Sequence, residues 1–439
     1  MKWLDEAVSA GHATTAAHPA RIAVLDAIRA DRTGPVPVRL LQLSRADDAF
    51  VRREVMELLS SGGRRPWPEA AEAALARLTD PDEEVRRRAA YLVVHAGSRD
   101  VALRALGELT EPVVRTALAD RLRGSVAHLH DDPLASVRFL ARLATLSIAT
   151  PQQWPPLDRA LLADAREAAS HLDGVGWRWG RVLYGLGRER HVYALAARLL
   201  GDPATRDIGA GLAREACHDW RAAPVELLPL LVRHCERGIS PAMAKALTTA
   251  SISEAAIHTH GALIAAVPFT PYPKARRPSG SPTPSYDSAT AAAVLRAKPV
   301  DTGRLQHAPE IFEALLEAGP LTFRQAAQLY NLTFKRPGRM QAACAPLWPR
   351  HAGPTVLPRI LALMTPHLGD YGVGEYYSEG LARMGRYALP ALPSLTALID
   401  RRTRIPVNDS TRDGETMLDE RLLAAAMNAR RAILADAAS

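Results

Sequence analysis

The amino-acid sequence predicts an all-α protein built from stacked pairs of short amphipathic helices. Three observations carry that reading. Apolar residues recur at three- and four-residue steps, the spacing that lays them along one helical face. A turn motif returns along the first half of the chain. Aromatic residues make up only 5% of the 439 positions while alanine and leucine abound, as small, closely packed helices require, and no stretch shows the alternation expected of a strand.

The clearest pair is Trp67–Gly97, WPEAAEAALARLTDPDEEVRRRAAYLVVHAG. Ala71, Ala74, Leu75 and Leu78 form one apolar stripe. Thr79-Asp80-Pro81 breaks it, because proline disfavours helix in the residue before it and suits the first turn of the next helix. Asp80 is placed to cap that helix, with Asp82, Glu83 and Glu84 favourable at its positive end. Val85, Ala89, Leu92, Val93 and Ala96 make the second stripe, and Gly97 ends it. One such hairpin cannot bury both stripes by itself, so it must stack on neighbours.

The motif Asp-Pro-x-x-x-Val-Arg returns at Asp132–Arg138. Looser copies are DDAFVRREVMELL (47–59), EPVVRTALADRL (111–122) and DPATRDIGAGLAREAC (202–217). The pattern resembles the HEAT-repeat family, in which a turn aspartate and a helix arginine form a ladder between successive repeats. Asp80 with Arg86, and Asp132 with Arg138, carry the match, which extends over Pro19–Val267 and more weakly over Pro354–Leu434. The resemblance implies an α-solenoid of antiparallel helix pairs forming a curved superhelix. It implies no particular function, because one fold serves many.

Residues 1–267 read as an N-terminal HEAT-like array. Ile22, Val24, Leu25 and Ile28 supply its first inward stripe, helix pairs follow from Val36 to Gly124, and Pro151, Pro155 and Pro156 mark a longer turn. Residues 268–304 change composition: prolines at 268, 271, 273, 278, 282 and 284, with serines and Lys274, Arg276 and Arg277, predict a basic linker or long loop. A turn or two of helix is expected within it at Ala289–Ala297. Residues 305–439 form a C-terminal helical block, with helices at Ala308–Ala318, Leu321–Leu332, Pro354–Leu368, Gly374–Gly385, Leu389–Ile399 and Asp419–Ala435, and a polar loop at Arg401–Gly414.

Lysine and arginine outnumber acidic residues 55 to 47, a net charge of +8, which permits an anionic partner without demanding one. Three scattered cysteines suit a reducing, cytoplasmic setting. The N-terminus lacks the apolar core of a secretory signal, and no apolar run approaches the ~18 residues a membrane helix needs.

For function, the first candidate is an arginine stripe on the second helix of each pair: Arg52, Arg53, Arg86, Arg87, Arg88, Arg115, Arg121, Arg123, Arg138 and Arg142. In solenoids these helices tend to line the concave side, where arginines could track a phosphate backbone. Against this, Arg86 and Arg138 have the ladder role, which leaves Arg87 and Arg88 to face a partner. Gly176–Arg181, with Trp177, Trp179 and Arg181, and Asp120, which sits between arginines, are similar in chemistry to the concave surface of HEAT-like glycosylases that remove alkylated purines. The alternative is that both tryptophans pack between repeats. A third candidate is DYGVGEYY, where Tyr371, Tyr376 and Tyr377 cluster with Glu375; tyrosine is enriched at interfaces. Leu321–Met340 looks like the opening of a helix-turn-helix, interrupted by Pro337-Gly338.

His128 and His130, His258 and His260, Cys217-His218 and His234-Cys235 make no tetrahedral set, and no nucleophile elbow or phosphate loop is present. No metal, cofactor or catalytic residue is therefore expected. The sequence points to a non-enzymatic scaffold that binds a macromolecular partner, protein in preference, along its concave surface. The alternative is a nucleic-acid-binding protein, glycosylase-like in its enzymatic form.

Overall fold

The computed structural model describes residues 1–62, 66–146, 148–169, 172, 188–235, 238–270, 272, 285–297, 307–335, 337–406 and 411–439. Its elements run α1 (Lys2–Ser9), α2 (Pro19–Ala30), α3 (Pro35–Leu43), α4 (Ala49–Ser61), α5 (Pro68–Leu75), α6 (Glu83–Ala96), α7 (Arg99–Glu108) and α8 (Pro112–Leu122). Next come α9 (Ala135–Leu146), α10 (Trp154–Glu167), α11 (Glu189–Gly201), α12 (Arg206–Asp219), α13 (Ala223–Arg233), α14 (Pro241–Ala250), α15 (Glu254–Ala265) and α16 (Ser288–Ala297). The chain ends with α17 (Ala308–Ala318), α18 (Phe323–Phe334), α19 (Arg339–Cys344), α20 (Trp348–Ala352), α21 (Leu357–Met364), α22 (Gly374–Met384), α23 (Leu392–Ile399) and α24 (Arg412–Ala438). The protein is all-α, and among the described residues the one extended pairing is an isolated bridge between Trp220 and Thr403.

Two compact units divide the chain: Met1–Glu215 with Arg237–Met243, and Ala216–Glu236 with Ala244–Ser439. The division falls ahead of the proline-rich stretch. Within that stretch α16 packs on α17, burying Ala291 and Leu295 in the core of the second unit.

In the first unit the expected hairpins form. Pro19, Pro35, Pro68 and Pro112 each open a helix, where a missing N–H costs nothing. The second helices α4, α6 and α8 pack in succession, each with its own first helix beside it. Val85, Ala89, Leu92, Val93 and Ala96 are buried as expected, with Ala90 added. Two expectations fail. Leu75 and Ile22 stay exposed, so the stripe of α2 narrows to Val24 and Ile28. Nor does Asp80 cap α6: Asp82 does, accepting the Val85 N–H at 2.9 Å.

Asp80 is instead buried and serves the preceding repeat. Arg52 of α4 donates to both its carboxylate oxygens, from Nε at 2.8 Å and Nη2 at 2.9 Å. Arg52 Nη1 also reaches the Ala46 and Asp47 carbonyls at 2.8 and 2.7 Å, which the turn leaves exposed to it. The pattern then advances one repeat at a time. Arg86 donates to the Asp80 and Pro81 carbonyls and pairs with Glu111, the cap of α8, at 3.6 Å. Arg115 binds the Leu106 and Leu109 carbonyls and pairs with Asp132. Arg138 binds the Asp132 and Pro133 carbonyls and pairs with Asp164 at 2.9 Å. The ladder therefore joins each arginine to its own turn and to the acid of the following one. It includes the looser copies at 47–59 and 111–122.

A second, parallel contact joins Arg53 to Asp82 by two hydrogen bonds of 2.9 and 2.6 Å. With the Arg53 guanidinium and then the Val85 N–H as main causes, the Asp82 pKa falls from 3.8 to about 2.

In the second unit, Asp419 of α24 plays the central part. Arg221 donates to it at 2.9 and 2.8 Å, Arg404 at 3.1 Å and the Ile405 N–H at 3.1 Å. Burial pushes this carboxyl up, but the two guanidiniums and the N–H outweigh burial and hold it below its usual range. Backbone bonds from Arg221 N to Arg402 O (3.0 Å) and Arg404 N to Asp219 O (2.8 Å) complete the clasp. The polar loop expected at 401–414 is consequently shorter, since α24 already starts at Arg412, capped by Thr411. α17 matches its expected bounds, and Thr322 closes a capping box that starts α18.

Breaking one partner of a buried ion pair leaves the other charge uncompensated, so Asp80→Ala should destabilise the first unit by about 3–5 kcal/mol. Arg52→Met combined with Asp80→Leu should recover much of that loss; denaturant midpoints of the three proteins check this. Because Asp82 is held below its unfolded value of 3.8, its folded carboxylate binds fewer protons. Its stabilisation is complete above about pH 4 and drains away as pH falls towards 2. Asp82→Asn should flatten the acid limb of the stability curve in that window, as followed by circular dichroism.

Candidate partner-binding surface

The expected arginine surface is largely spoken for. Arg87 pairs with Glu83 and Glu84 at 2.8 and 3.1 Å. Arg88 binds Glu84 at 2.9 Å and the Arg53 carbonyl at 2.9 Å, with Glu54 at 3.6 Å. Both make helix-surface ion pairs of the exposed, weakly held kind, and Arg53 is bound to Asp82. Arg121 lies flat over the ring of Tyr91, 3.9 Å from its centre, and 3.8 Å from the buried Asp120. Arg123 is exposed and takes a left-handed conformation, φ 48°, at the end of α8. Trp177, Trp179 and Arg181 lie outside the described residues.

His130 and His260 are likewise engaged. His130 sits 2.9 Å from Thr145 Oγ1, and burial followed by Arg142 pulls its pKa down. His260 Nε2 lies 2.9 Å from the Val225 carbonyl at a kink in α15. No cluster of three or more metal-ligating side chains occurs among the described residues.

The tyrosine cluster separates into two roles, because neighbours on a helix point about 100° apart. Tyr377 faces inward and is buried. Its hydroxyl donates to Gln341 Oε1 at 2.6 Å and accepts the Gly338 N–H at 3.0 Å. Gln341 Nε2 donates to the Thr333 carbonyl at 2.7 Å, and Trp348 Nε1 donates to Thr333 Oγ1 at 2.8 Å. This network anchors the Pro337-Gly338 turn, where Gly338 has φ 105°. The interruption read at Pro337-Gly338 limits the helix-turn-helix likeness, since the helix after the turn, α19, has six residues and buries Gln341, Ala342 and Cys344. Nothing in it is presented as a recognition helix.

Tyr376, one position earlier, is half-buried and turned to a surface trough of the second unit. α22 runs along this trough, brought close to α19 at Gly380, where a Cβ would fall 2.6 Å from the Ala342 carbonyl oxygen. Three cavities are strung across it. A central one of about 370 Å³ lies between α22, α24 and the start of α15. It shares Glu375 and Arg421 with a second of about 210 Å³ that Tyr371 and Tyr376 also line. It shares Glu379 with a third of about 200 Å³, lined by Tyr376, Glu310, Arg339 and Arg383. Arg421 bridges the wall to Glu375 at 2.7 Å, and Arg339 lies over the Tyr376 ring at 5.9 Å. Of the trough residues, sequence reading singled out Tyr371, Tyr376 and Glu375. It missed Glu379, which a helical step of four from Glu375 would have added, and the contribution of α24 and α15, which no local signal announces.

No family model matches the chain, and no curated protein does. Solved structures that it resembles include Kap121p bound to RanGTP, at 12% identity and a TM-score of 0.28, covering 98% of this chain and 44% of that one. Kap121p bound to Nup53p gives 11% identity and a TM-score of 0.24 over 97% and 47% of the two chains. An engineered protein gives 14% and 0.20 over 98% of each. The chain thus spans less than half the length of the Kap121p chains it resembles.

Removing the Tyr377 hydroxyl strands the buried Gly338 N–H and Gln341 Oε1. Tyr377→Phe should cost about 1–3 kcal/mol in the unfolding transition, whereas Tyr376→Phe should leave that transition within error of the parent.

Proposed function

We propose that the protein is a helical-repeat scaffold that binds a protein partner, and that the trough along α22 is the binding surface. The observation that carries this reading is the run of three cavities sharing walls. Extended peptide segments are held in that way, by side chains entering successive depressions beside a helix. Tyr371 and Tyr376 add the amphipathic rings that interfaces favour. A phosphate backbone has fewer ready cations to meet, because Arg53 is bound to Asp82 and Arg88 to Glu84. Three cysteines, none of them in a disulfide among the described residues, suit work in a reducing compartment such as the cytoplasm.

The test is affinity capture from the native cell by the full-length protein, with and without nuclease. A protein that is retained after nuclease treatment supports the proposal. Capture that nuclease abolishes would replace the protein partner by nucleic acid, and a steep loss of duplex affinity with added salt would then follow.

A further inference from the structure

Two cations and one unanswered acceptor line the third cavity of the trough. Arg339 and Arg383 both border it and both are exposed. Arg339 lies over the Tyr376 ring, and Arg383 reaches the Ala343 carbonyl at a long 3.4 Å. Neither guanidinium meets a carboxylate among the described residues. Glu310 lines the same space from the first turn of α17. Its Oε2 is buried and meets no hydrogen-bond donor among the described residues. Such an oxygen is unfavourable unless a further group reaches it. Glu379, the other acid of the lining, is already engaged. Two backbone constraints position the arginines. The Tyr377 hydroxyl accepts the Gly338 N–H at 3.0 Å, immediately before Arg339 opens α19. Gly380, three positions before Arg383, lets α22 approach the Ala342 carbonyl with no Cβ in the way. Guanidinium forks match a carboxylate by paired hydrogen bonds, whereas the Glu310 oxygen requires a donor close to that carboxylate. The last residue of a polypeptide supplies both, since its amide N–H and its α-carboxylate stand on one carbon. A phosphate group supplies acceptors alone, and Glu310 would repel it.

We infer that the third cavity captures the free C-terminus of the partner protein, Arg339 and Arg383 binding the α-carboxylate while Glu310 accepts the last amide N–H. This rests on the protein-binding reading above and names the part of the partner that is read. The residues before the terminus lie along the trough, past Tyr376, which lines this cavity and the one that Tyr371 shares.

The experiment uses full-length protein and four pools of fluorescein-labelled hexapeptides of randomised sequence. One pool ends in a free carboxylate and one in a carboxamide. A third ends in phosphoserine carboxamide, and the fourth is a free acid methylated on its last peptide nitrogen. Fluorescence anisotropy should show the free-acid pool binding about tenfold more tightly than the carboxamide pool, the worth of one hydrogen bond to a charged group. The N-methyl pool, which lacks the donor for Glu310, should be weakened by a similar factor. Arg339→Met combined with Arg383→Met should abolish the preference for the free acid. Both side chains are exposed, so the double variant should melt with the parent and bind the carboxamide pool as the parent does. Equal binding of acid and carboxamide, or no saturable binding of the acid pool, overturns the inference. So does a phosphoserine or N-methyl pool that binds as tightly as the free acid, or an acid preference that survives both substitutions. A cellular protein captured after nuclease by parent and double variant alike would overturn the C-terminal pocket while leaving the scaffold reading intact. Acid-selective peptide binding with no protein captured after nuclease would do the reverse.

Discussion

A tight turn between two helices leaves carbonyls at the end of the first helix without partners, and a stack of such turns repeats the problem at every layer. In the first unit an arginine from the start of each second helix meets it. One guanidinium nitrogen closes the carbonyls of its own turn, while the others carry the charge to the acid of the following turn: Arg52 to Asp80, Arg86 to Glu111, Arg115 to Asp132, Arg138 to Asp164. The planar fork of arginine makes this possible, since lysine presents a single point charge. The stripes of alanine, valine and leucine supply the attraction between layers, but they are non-directional. The guanidinium contacts fix which residue of one layer faces which of the next.

That arrangement explains how far the sequence could be read. Helical spacing and proline positions are local, and they gave the hairpins of the first unit and the bounds of Ala308–Ala318. The partner of Asp80 is not local. Asp80-Pro81 invites a capping reading because the side chain of an aspartate there can reach the next N–H groups; the buried guanidinium of Arg52, 28 residues earlier, competes for it and wins, and Asp82 takes over the cap. The same competition draws Arg52, Arg86, Arg115 and Arg138 of the arginine stripe into contacts between turns. Arginine on a helix reads as surface charge until the acids of adjacent turns are placed beside it.

The tyrosines of DYGVGEYY show the other limit. Composition marks the segment as an interface candidate but cannot say which ring faces out. The 100° step of the helix gives Tyr376 to the surface and Tyr377 to a buried network with Gln341, Thr333 and Trp348. The trough that Tyr376 lines also needs α24 and the start of α15, brought to α22 from far along the chain. No pattern within α22 could have reported that convergence.

The clasp at Asp419 sets a different timescale from the ladder. Arg52–Asp80 and Arg115–Asp132 close loops of 28 and 17 residues, so each layer can be checked soon after its neighbour forms. Arg221–Asp419 closes one of 198, and the antiparallel bridge of Trp220 with Thr403 is of similar span. Loop-closure entropy grows only slowly with length, but folding rates fall as contacts become more distant in sequence. On a ribosome, Ala216–Glu236 would emerge long before the helix that fastens it, leaving Arg221 and the indole of Trp220 without their eventual partners. The second unit is therefore the segment of this chain most exposed to misassociation during synthesis.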